Sequence, residues 1–296
     1  MSTQITNLKN NLIMKHLIAI SLLALSLNSF SQKKDIIYLW PGKVPGEVKE
    51  KQLPGVDTLR KDNLLRYNEI TNPAVEIWLP APSISNGASV IICPGGAYRM
   101  LSYNLEGTEI AAWLNKLGFT AFILQYRVPD KKEGALQDAQ RALRIVRDNA
   151  AKWNINPEKI GIMGFSAGGS LSARAGTLFN KRSYSPVDKS DSLSCRPAFT
   201  LLIYPAYLDQ GPDRTLTPEL QLSKEVPPMF IFQTADDPYG NSSLVMATAL
   251  RDAKLPVELH ILAVGGHGYG LKSGKAAPET WPVLAEKWLR EVVLKK

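Results

Sequence analysis

The sequence predicts an α/β fold: a mostly parallel central sheet covered by helices on both faces. Short apolar, β-branched runs recur along the chain, longer stretches of helical period separate them, and no internal repeat or low-complexity tract interrupts the alternation. With 296 residues, 45% of them hydrophobic, the chain is long enough to bury one large core, so a single catalytic-sized domain over residues 32–296 is expected.

Residues 1–31 do not belong to that core. Lys15 and His16 precede the apolar run Leu17 to Leu27, which ends in the small-residue stretch Ser29-Phe30-Ser31. This order reads as a signal peptide cleaved after Ser31, and the run is short for a membrane span. Met14 is the more natural initiator than Met1, which makes residues 1–13 a mis-called start. The leader holds no cysteine to carry a lipid anchor. A secreted or periplasmic protein is therefore expected.

The stretch 41–73 reads as an N-terminal extension wrapping the domain. Strands are then expected at Val75–Leu79, Ser89–Ile92, Thr120–Leu124, Ile160–Met163, Phe199–Tyr204, Met229–Phe232 and Val257–Leu262, with helices near 106–117, 134–152, 167–179, 242–254 and 279–294. In the second helix Ala135, Ala139, Ala142, Leu143, Val146 and Ala150 make one apolar stripe, and Asp138, Arg141, Arg144 and Asp148 occupy the rest of its surface. The connection between Pro205 and Pro227 is long enough for a flap but not for a lid domain, so an open site is expected.

Charge excludes little but points away from nucleic acid. The formal net charge of +8 falls to +6 when Lys9 and Lys15 leave with the leader, and it is spread without a dense Lys/Arg run. Only Cys93 and Cys195 occur, too few for a disulfide framework, and separate buried thiols are expected.

The chemistry is carried by Gly164-Phe165-Ser166-Ala167-Gly168, a G-x-S-x-G pattern directly after an apolar strand and before a small-residue helix. That context is a nucleophile elbow, in which the serine stands on a strained strand-to-helix turn and its neighbours are glycines because larger side chains would collide with backbone. A serine hydroxyl needs a base, and in this architecture acid and histidine follow the serine in the chain. Three histidines occur. His16 leaves with the leader, His260 alternates with apolar residues as a strand residue does, and His267 lies in Gly265-Gly266-His267-Gly268 directly after the last strand. His267 is the expected base.

The acid should follow the preceding strand, where Asp236 and Asp237 stand side by side before Pro238. Asp237 is preferred because loops of this kind place the acid directly before proline. Asp236 remains the alternative, its other role being a cap of the helix beginning near Asn241. The turn Cys93-Pro94-Gly95-Gly96-Ala97-Tyr98, after an early strand, can aim backbone N–H groups at a developing oxyanion. Gly96 and Ala97, with the N–H of Ala167, are the expected donors.

These motifs, with Glu106-Gly107 and Leu136-Gln137-Asp138-Ala139-Gln140-Arg141-Ala142, resemble the α/β-hydrolase esterases related to acetylxylan esterases and the hormone-sensitive-lipase-like group, over essentially all of residues 36–294. The resemblance implies an α/β-hydrolase fold and deacylation of acetylated plant polysaccharide or oligosaccharide. Two departures stand out: Pro94 replaces the histidine of many lipase-like relatives, and Asp237-Pro238-Tyr239-Gly240-Asn241 lacks their valine-proline run after the acid.

The expected activity is thus a serine esterase working through an acyl-enzyme, with no cofactor and no metal. Two histidines without ligand spacing do not supply a metal cluster. One rival reading is a serine peptidase resembling prolyl oligopeptidases, against which no propeller domain is present. The other is a catalytically silent carbohydrate-binding scaffold offering Tyr98, Tyr103, Tyr207, Tyr239 and Tyr269 as sugar platforms.

Overall fold

The computed structural model describes residues 35–57 and 62–295; the leader and its cleavage point lie outside the described residues. The main sheet has eight strands: β1 (Ile36–Tyr38), β4 (Ala74–Trp78), β5 (Ser89–Cys93), β7 (Thr120–Gln125), β8 (Ile160–Phe165), β9 (Thr200–Ile203), β10 (Met229–Thr234) and β11 (Val257–Leu262). They lie in the order β1-β4-β7-β5-β8-β9-β10-β11. Every neighbouring pair from β7 to β11 is parallel, and β4 runs antiparallel to both β1 and β7. Three short strands, β2 (Gly55–Val56), β3 (Arg66–Asn68) and β6 (Leu101–Ser102), form a separate antiparallel sheet.

Helices cover both faces, and the strand alternation decides which residue meets which helix. Val90, Ile92, Met163, Phe165, Phe230 and Phe232 pack on one face with α1 (Glu109–Lys116) and α5 (Ala276–Leu289), through Ile110, Leu114, Trp281 and Trp288. Ile91, Cys93, Ile162, Leu202, Met229 and Ile231 pack on the other with α2 (Lys132–Asp148), α3 (Ala167–Thr177) and α4 (Gly240–Asp252). Two helices begin or end in a wider coil: a π-helical turn, Asn104–Thr108, leads into α1, and another, Arg290–Leu294, follows α5. Among the described residues no helix is long and apolar enough to cross a membrane.

The polar side of α2 departs from expectation. Asp138, Arg141 and Arg144 are not a solvated face; all three are buried. The segment at residues 39–51 meets Asp138 and Arg141, which is how the N-terminal extension attaches to the domain, whereas Arg144 bonds to Tyr184 and the Leu193 carbonyl. Trp40 Nε1 donates to Asp138 Oδ1 at 2.8 Å, Arg127 Nε lies 2.9 Å from Asp138 Oδ2, and Arg141 Nε donates to the Leu39 carbonyl at 3.0 Å. A buried charge persists when paired and hydrogen-bonded, and the Asp138–Arg127 pair meets both conditions.

The connection from β9 to β10 carries one short 3-10 turn, Pro212–Arg214, and no lid domain. Both cysteines are buried and unpaired, and burial pushes the Cys93 thiol up to about 12.

Candidate active site

The loops that follow β5, β8, β9, β10 and β11 all leave the carboxyl edge of the parallel part of the sheet. There the chain brings together the residues that its sequence scatters over 170 positions.

Ser166 sits between β8 and α3 at φ 52°, ψ −119°, a strained conformation for a residue with a side chain. Its N–H donates to the Ile203 carbonyl at 3.2 Å, and its own carbonyl accepts from Ala206 and Ser170. The turn is this tight only because of its glycines. A Cβ on Gly164 would lie 1.9 Å from the Gly168 carbonyl oxygen, and one on Gly168 would lie 2.0 Å from that of Cys93.

Ser166 Oγ lies 2.7 Å from His267 Nε2, and His267 Nδ1 lies 2.7 Å from Asp237 Oδ2. The His267 side chain keeps 23% of its surface exposed, whereas the Asp237 side chain has none. With the Asp237 carboxylate at Nδ1, the ring proton resides there and the Nε2 lone pair faces the serine hydroxyl. Asp237 Oδ1 accepts from the Tyr239 N–H at 2.8 Å, so the carboxylate is held at both oxygens.

Of the two adjacent aspartates, Asp237 is therefore the one that reaches the histidine. Asp236 is not a cap of α4 either. Its carboxylate accepts from the N–H groups of Gly265 (3.0 Å) and Gly266 (2.9 Å), and thereby ties down the loop that carries His267. These two donors hold its carboxyl below the ordinary carboxylate range. Thr234 Oγ1 adds a bond to the Gly266 carbonyl at 2.8 Å.

The turn after β5 lies against the elbow: a Cβ on Gly95 would be 2.9 Å from Ser166 Cβ. Gly96 (φ 136°), Ala97 (φ 58°) and Tyr98 (φ 58°) follow in succession at positive φ. Among the described residues the N–H groups of Gly96, Ala97 and Ala167 donate to no acceptor, and Ala167 opens α3, where the helix dipole favours negative charge. Three free donors thus border the nucleophile. Pro94 supplies no side-chain function here, but its carbonyl accepts from Tyr126 Oη at 2.6 Å, which fixes the base of the turn. A cavity of about 520 Å³ opens beside Ala97 and Tyr98, walled on its far side by the N-terminal segment Pro45–Val48.

Of the five tyrosines considered as sugar platforms, Tyr98, Tyr103 and Tyr269 are buried. Tyr207 and Tyr239 keep exposed ring surface, and they form a row with the base: Tyr239 is 4.9 Å from the His267 ring centroid and 5.5 Å from Tyr207. His260 takes no part; its Nε2 pairs with Glu258 at 2.7 Å on the edge strand β11. Among the described residues no group of three or more His, Cys, Asp or Glu is arranged to hold a metal ion.

Two residues that motif reasoning did not assign a role complete the setting. Glu106, in the π-helical turn, accepts from the Gly95 N–H at 2.8 Å and from Tyr204 Oη at 2.8 Å; Tyr204 stands edge-on to His267, their ring centroids 5.2 Å apart. The sequence signal for Glu106 was the Glu106-Gly107 pair, which carried the family resemblance but no role.

Comparison with known proteins agrees with this architecture. The BD-FAE family model matches residues 75–195. An acetylxylan esterase of Xylanibacter ruminicola is 34% identical over 215 residues, covering 64% of this chain and 42% of that protein. The chain thus spans less than half the length of that curated relative. The crystal structure of an acetyl ester-xyloside bifunctional hydrolase from Caldicellulosiruptor lactoaceticus superposes with a TM-score of 0.73 at 31% identity, over 88% of this chain and 97% of that one. An α/β-hydrolase enzyme from a deep-sea metagenome of the Medee basin gives 0.61 at 27% identity, over 83% and 99%. The strand order, the elbow and these likenesses agree: the chain belongs to the α/β-hydrolase-fold esterases related to acetylxylan esterases.

Proposed function

We propose that this protein is a serine esterase that removes acetyl groups from acetylated xylan or related oligosaccharides through an acyl-enzyme. The observation that carries the proposal is the unbroken relay Ser166 Oγ–His267 Nε2 and His267 Nδ1–Asp237 Oδ2, each step 2.7 Å, beside three unpaired N–H groups.

In the first half-reaction His267 takes the hydroxyl proton as Ser166 Oγ attacks the acetyl carbonyl. The carbonyl oxygen becomes an oxyanion facing Gly96, Ala97 and Ala167, where one such donor typically contributes ~3 kcal/mol of transition-state stabilisation. Collapse expels the sugar hydroxyl, which leaves with the proton from Nε2. In the second half, water gives a proton to His267 and attacks the acetyl-serine; the C–Oγ bond then breaks, His267 returns the proton to Ser166 Oγ, and acetate leaves. Asp237 keeps the Nδ1 proton throughout and stabilises the imidazolium.

The acyl chemistry follows from the residues; the sugar does not, because one fold hosts many substrates. Its support is the acetylxylan esterase relative, the bifunctional acetyl ester-xyloside hydrolase, and the half-exposed rings of Tyr207 and Tyr239 beside His267. We also infer export. The basic, apolar and small-residue segments of residues 1–31 support it, and the mass of the mature protein should then begin at Gln32.

Hydrolysis of p-nitrophenyl acetate, p-nitrophenyl butyrate and acetylated xylo-oligosaccharides, run beside Ser166→Ala, tests the proposal. Acetate release from the oligosaccharides that vanishes in the variant is expected. Turnover of p-nitrophenyl acetate alone removes the sugar from the proposal, and no serine-dependent turnover of any ester removes the esterase.

A further inference from the structure

A fully buried carboxylate beside the site has no part in the relay. Glu106 is 3% exposed, and its hydrogen-bond partners are both neutral. Oε2 accepts from the Gly95 N–H at 2.8 Å and Oε1 accepts from Tyr204 Oη at 2.8 Å; Tyr204 Oη in turn accepts from the Gly270 N–H at 3.0 Å. The chain of bonds therefore runs from the turn before Gly96, through Glu106 and Tyr204, to the loop three residues beyond His267.

The network is satisfied only when Glu106 is ionised. Tyr204 Oη already accepts from Gly270, so its own hydrogen must go to a carboxylate oxygen, and the other oxygen faces an N–H. A protonated Glu106 would leave one hydrogen of the network without an acceptor. Burial raises its carboxyl above the ordinary range, and the two donors, His267 and Lys272 offset only part of that rise. A buried, ionised carboxylate without a bonded cation is costly, and this one stands where it can hold the oxyanion turn in place.

We propose that Glu106 is a positioning residue for the ester hydrolysis: it fixes the turn that presents the Gly96 N–H to the oxyanion. The inference rests on the esterase reading above. Gly95 is tied on both sides, its N–H by Glu106 and its carbonyl by the Ser102 N–H at 2.8 Å, so the peptide joining Gly95 to Gly96 cannot rotate. Preorganised donors act because they need no reorientation as charge develops.

The experiment is the measurement of kcat and KM for p-nitrophenyl acetate at one pH with the full mature chain, its Glu106→Gln variant and its Tyr204→Phe variant, each checked for folding and melting temperature by circular dichroism. Glu106→Gln should lower kcat by roughly 10- to 100-fold, short of the ~10²–10³ that deleting an oxyanion donor costs. KM should stay within about twofold. A part that only supported the fold would not lower kcat while leaving KM and the melting temperature in place.

Wild-type kcat in folded Glu106→Gln would overturn the assignment. If Glu106→Gln does not fold, Tyr204→Phe decides: it keeps the Gly95 bond but cuts the link to Gly270, and a kcat equal to wild type overturns the coupling, whereas a several-fold fall supports it. Inactivity of the wild-type chain on every ester would instead count against the esterase reading and leave the variants unused.

Discussion

Two loops meet at the 2.7 Å contact between Ser166 and His267, and they are held in opposite ways. The serine turn is locked by close packing: Phe165, Ala167 and Gly168 are all buried, and added Cβ atoms at Gly164 and Gly168 would sit 1.9 and 2.0 Å from backbone oxygens. The histidine loop is half-exposed, and Gly266 and Gly268 have nothing within 4 Å of an added Cβ. Gly265 packs against Thr234 and Ala277, and from there to His267 the position of the loop depends on a few hydrogen bonds, chiefly Asp236 to Gly265 and Gly266, and Thr234 to the Gly266 carbonyl. The nucleophile is thus placed by volume and the base by bonding, so the two halves of one site should fail differently under mutation.

The largest effects test the chemistry that both loops serve. Ser166→Ala should cut kcat by roughly 10⁴–10⁶ while leaving the melting temperature unchanged or raised, since alanine removes no packing. Asp237→Asn should cost about 10⁴ in kcat, because an amide cannot hold the Nδ1 proton and leaves His267 in the wrong tautomer. Steady-state kinetics on p-nitrophenyl acetate read both. Near-wild-type activity in Asp237→Asn would return the acid's role to Asp236. Next comes a stability effect confined to the elbow. Gly168→Ala puts a methyl group into the Cys93 carbonyl and should lower stability by at least about 3 kcal/mol, or melting by roughly 10 °C, as differential scanning calorimetry would show.

How much of this was readable beforehand follows the same division. The elbow is contiguous in sequence and its physics is local, so Gly164 to Gly168 announce themselves, as do the apolar strands β5, β7, β8, β10 and β11. The order of serine, aspartate and histidine along the chain let His267 be found by elimination. The division of labour between Asp236 and Asp237 was only half legible, because it depends on where the Gly265–Gly266 backbone returns in space. Glu106 was visible as a residue but not as a part, since its partners lie 11 and 98 positions away. The polar side of α2 misled for a related reason: Asp138 and Arg141 look solvated until Trp40 and Leu39 cover them. The small strands β2, β3 and β6 are two or three residues long, too short for any periodicity to show.

On the histidine side the effects should be smaller and should appear in catalysis before stability. Asp236→Ala removes the acceptor of the Gly265 and Gly266 N–H groups and should lower kcat by about tenfold with little change in melting, because the residue is exposed. Its pH signature has a definite sign. The folded-state carboxyl is held below the ordinary range of about 3.9, so its anchorage is complete above that pH and is lost only as pH falls through the lower, folded value. Activity lost between neutral pH and pH 5 in the wild type would then not come from loss of this anchor.

The smallest effect gives the sharpest test of the contrast. Gly266 has φ +69° and open space around it, so Gly266→Ala meets conformational strain of about 1–2 kcal/mol and no collision. That strain is local to a loop that can yield, and it should show as a few-fold fall in kcat with a melting change of only a few degrees. Glycine at this position is needed for its dihedral angle, whereas Gly168 is needed for its missing volume. If calorimetry found Gly266→Ala as destabilising as Gly168→Ala, the histidine loop would have to be packed as tightly as the elbow, and the division between volume and bonding would fall.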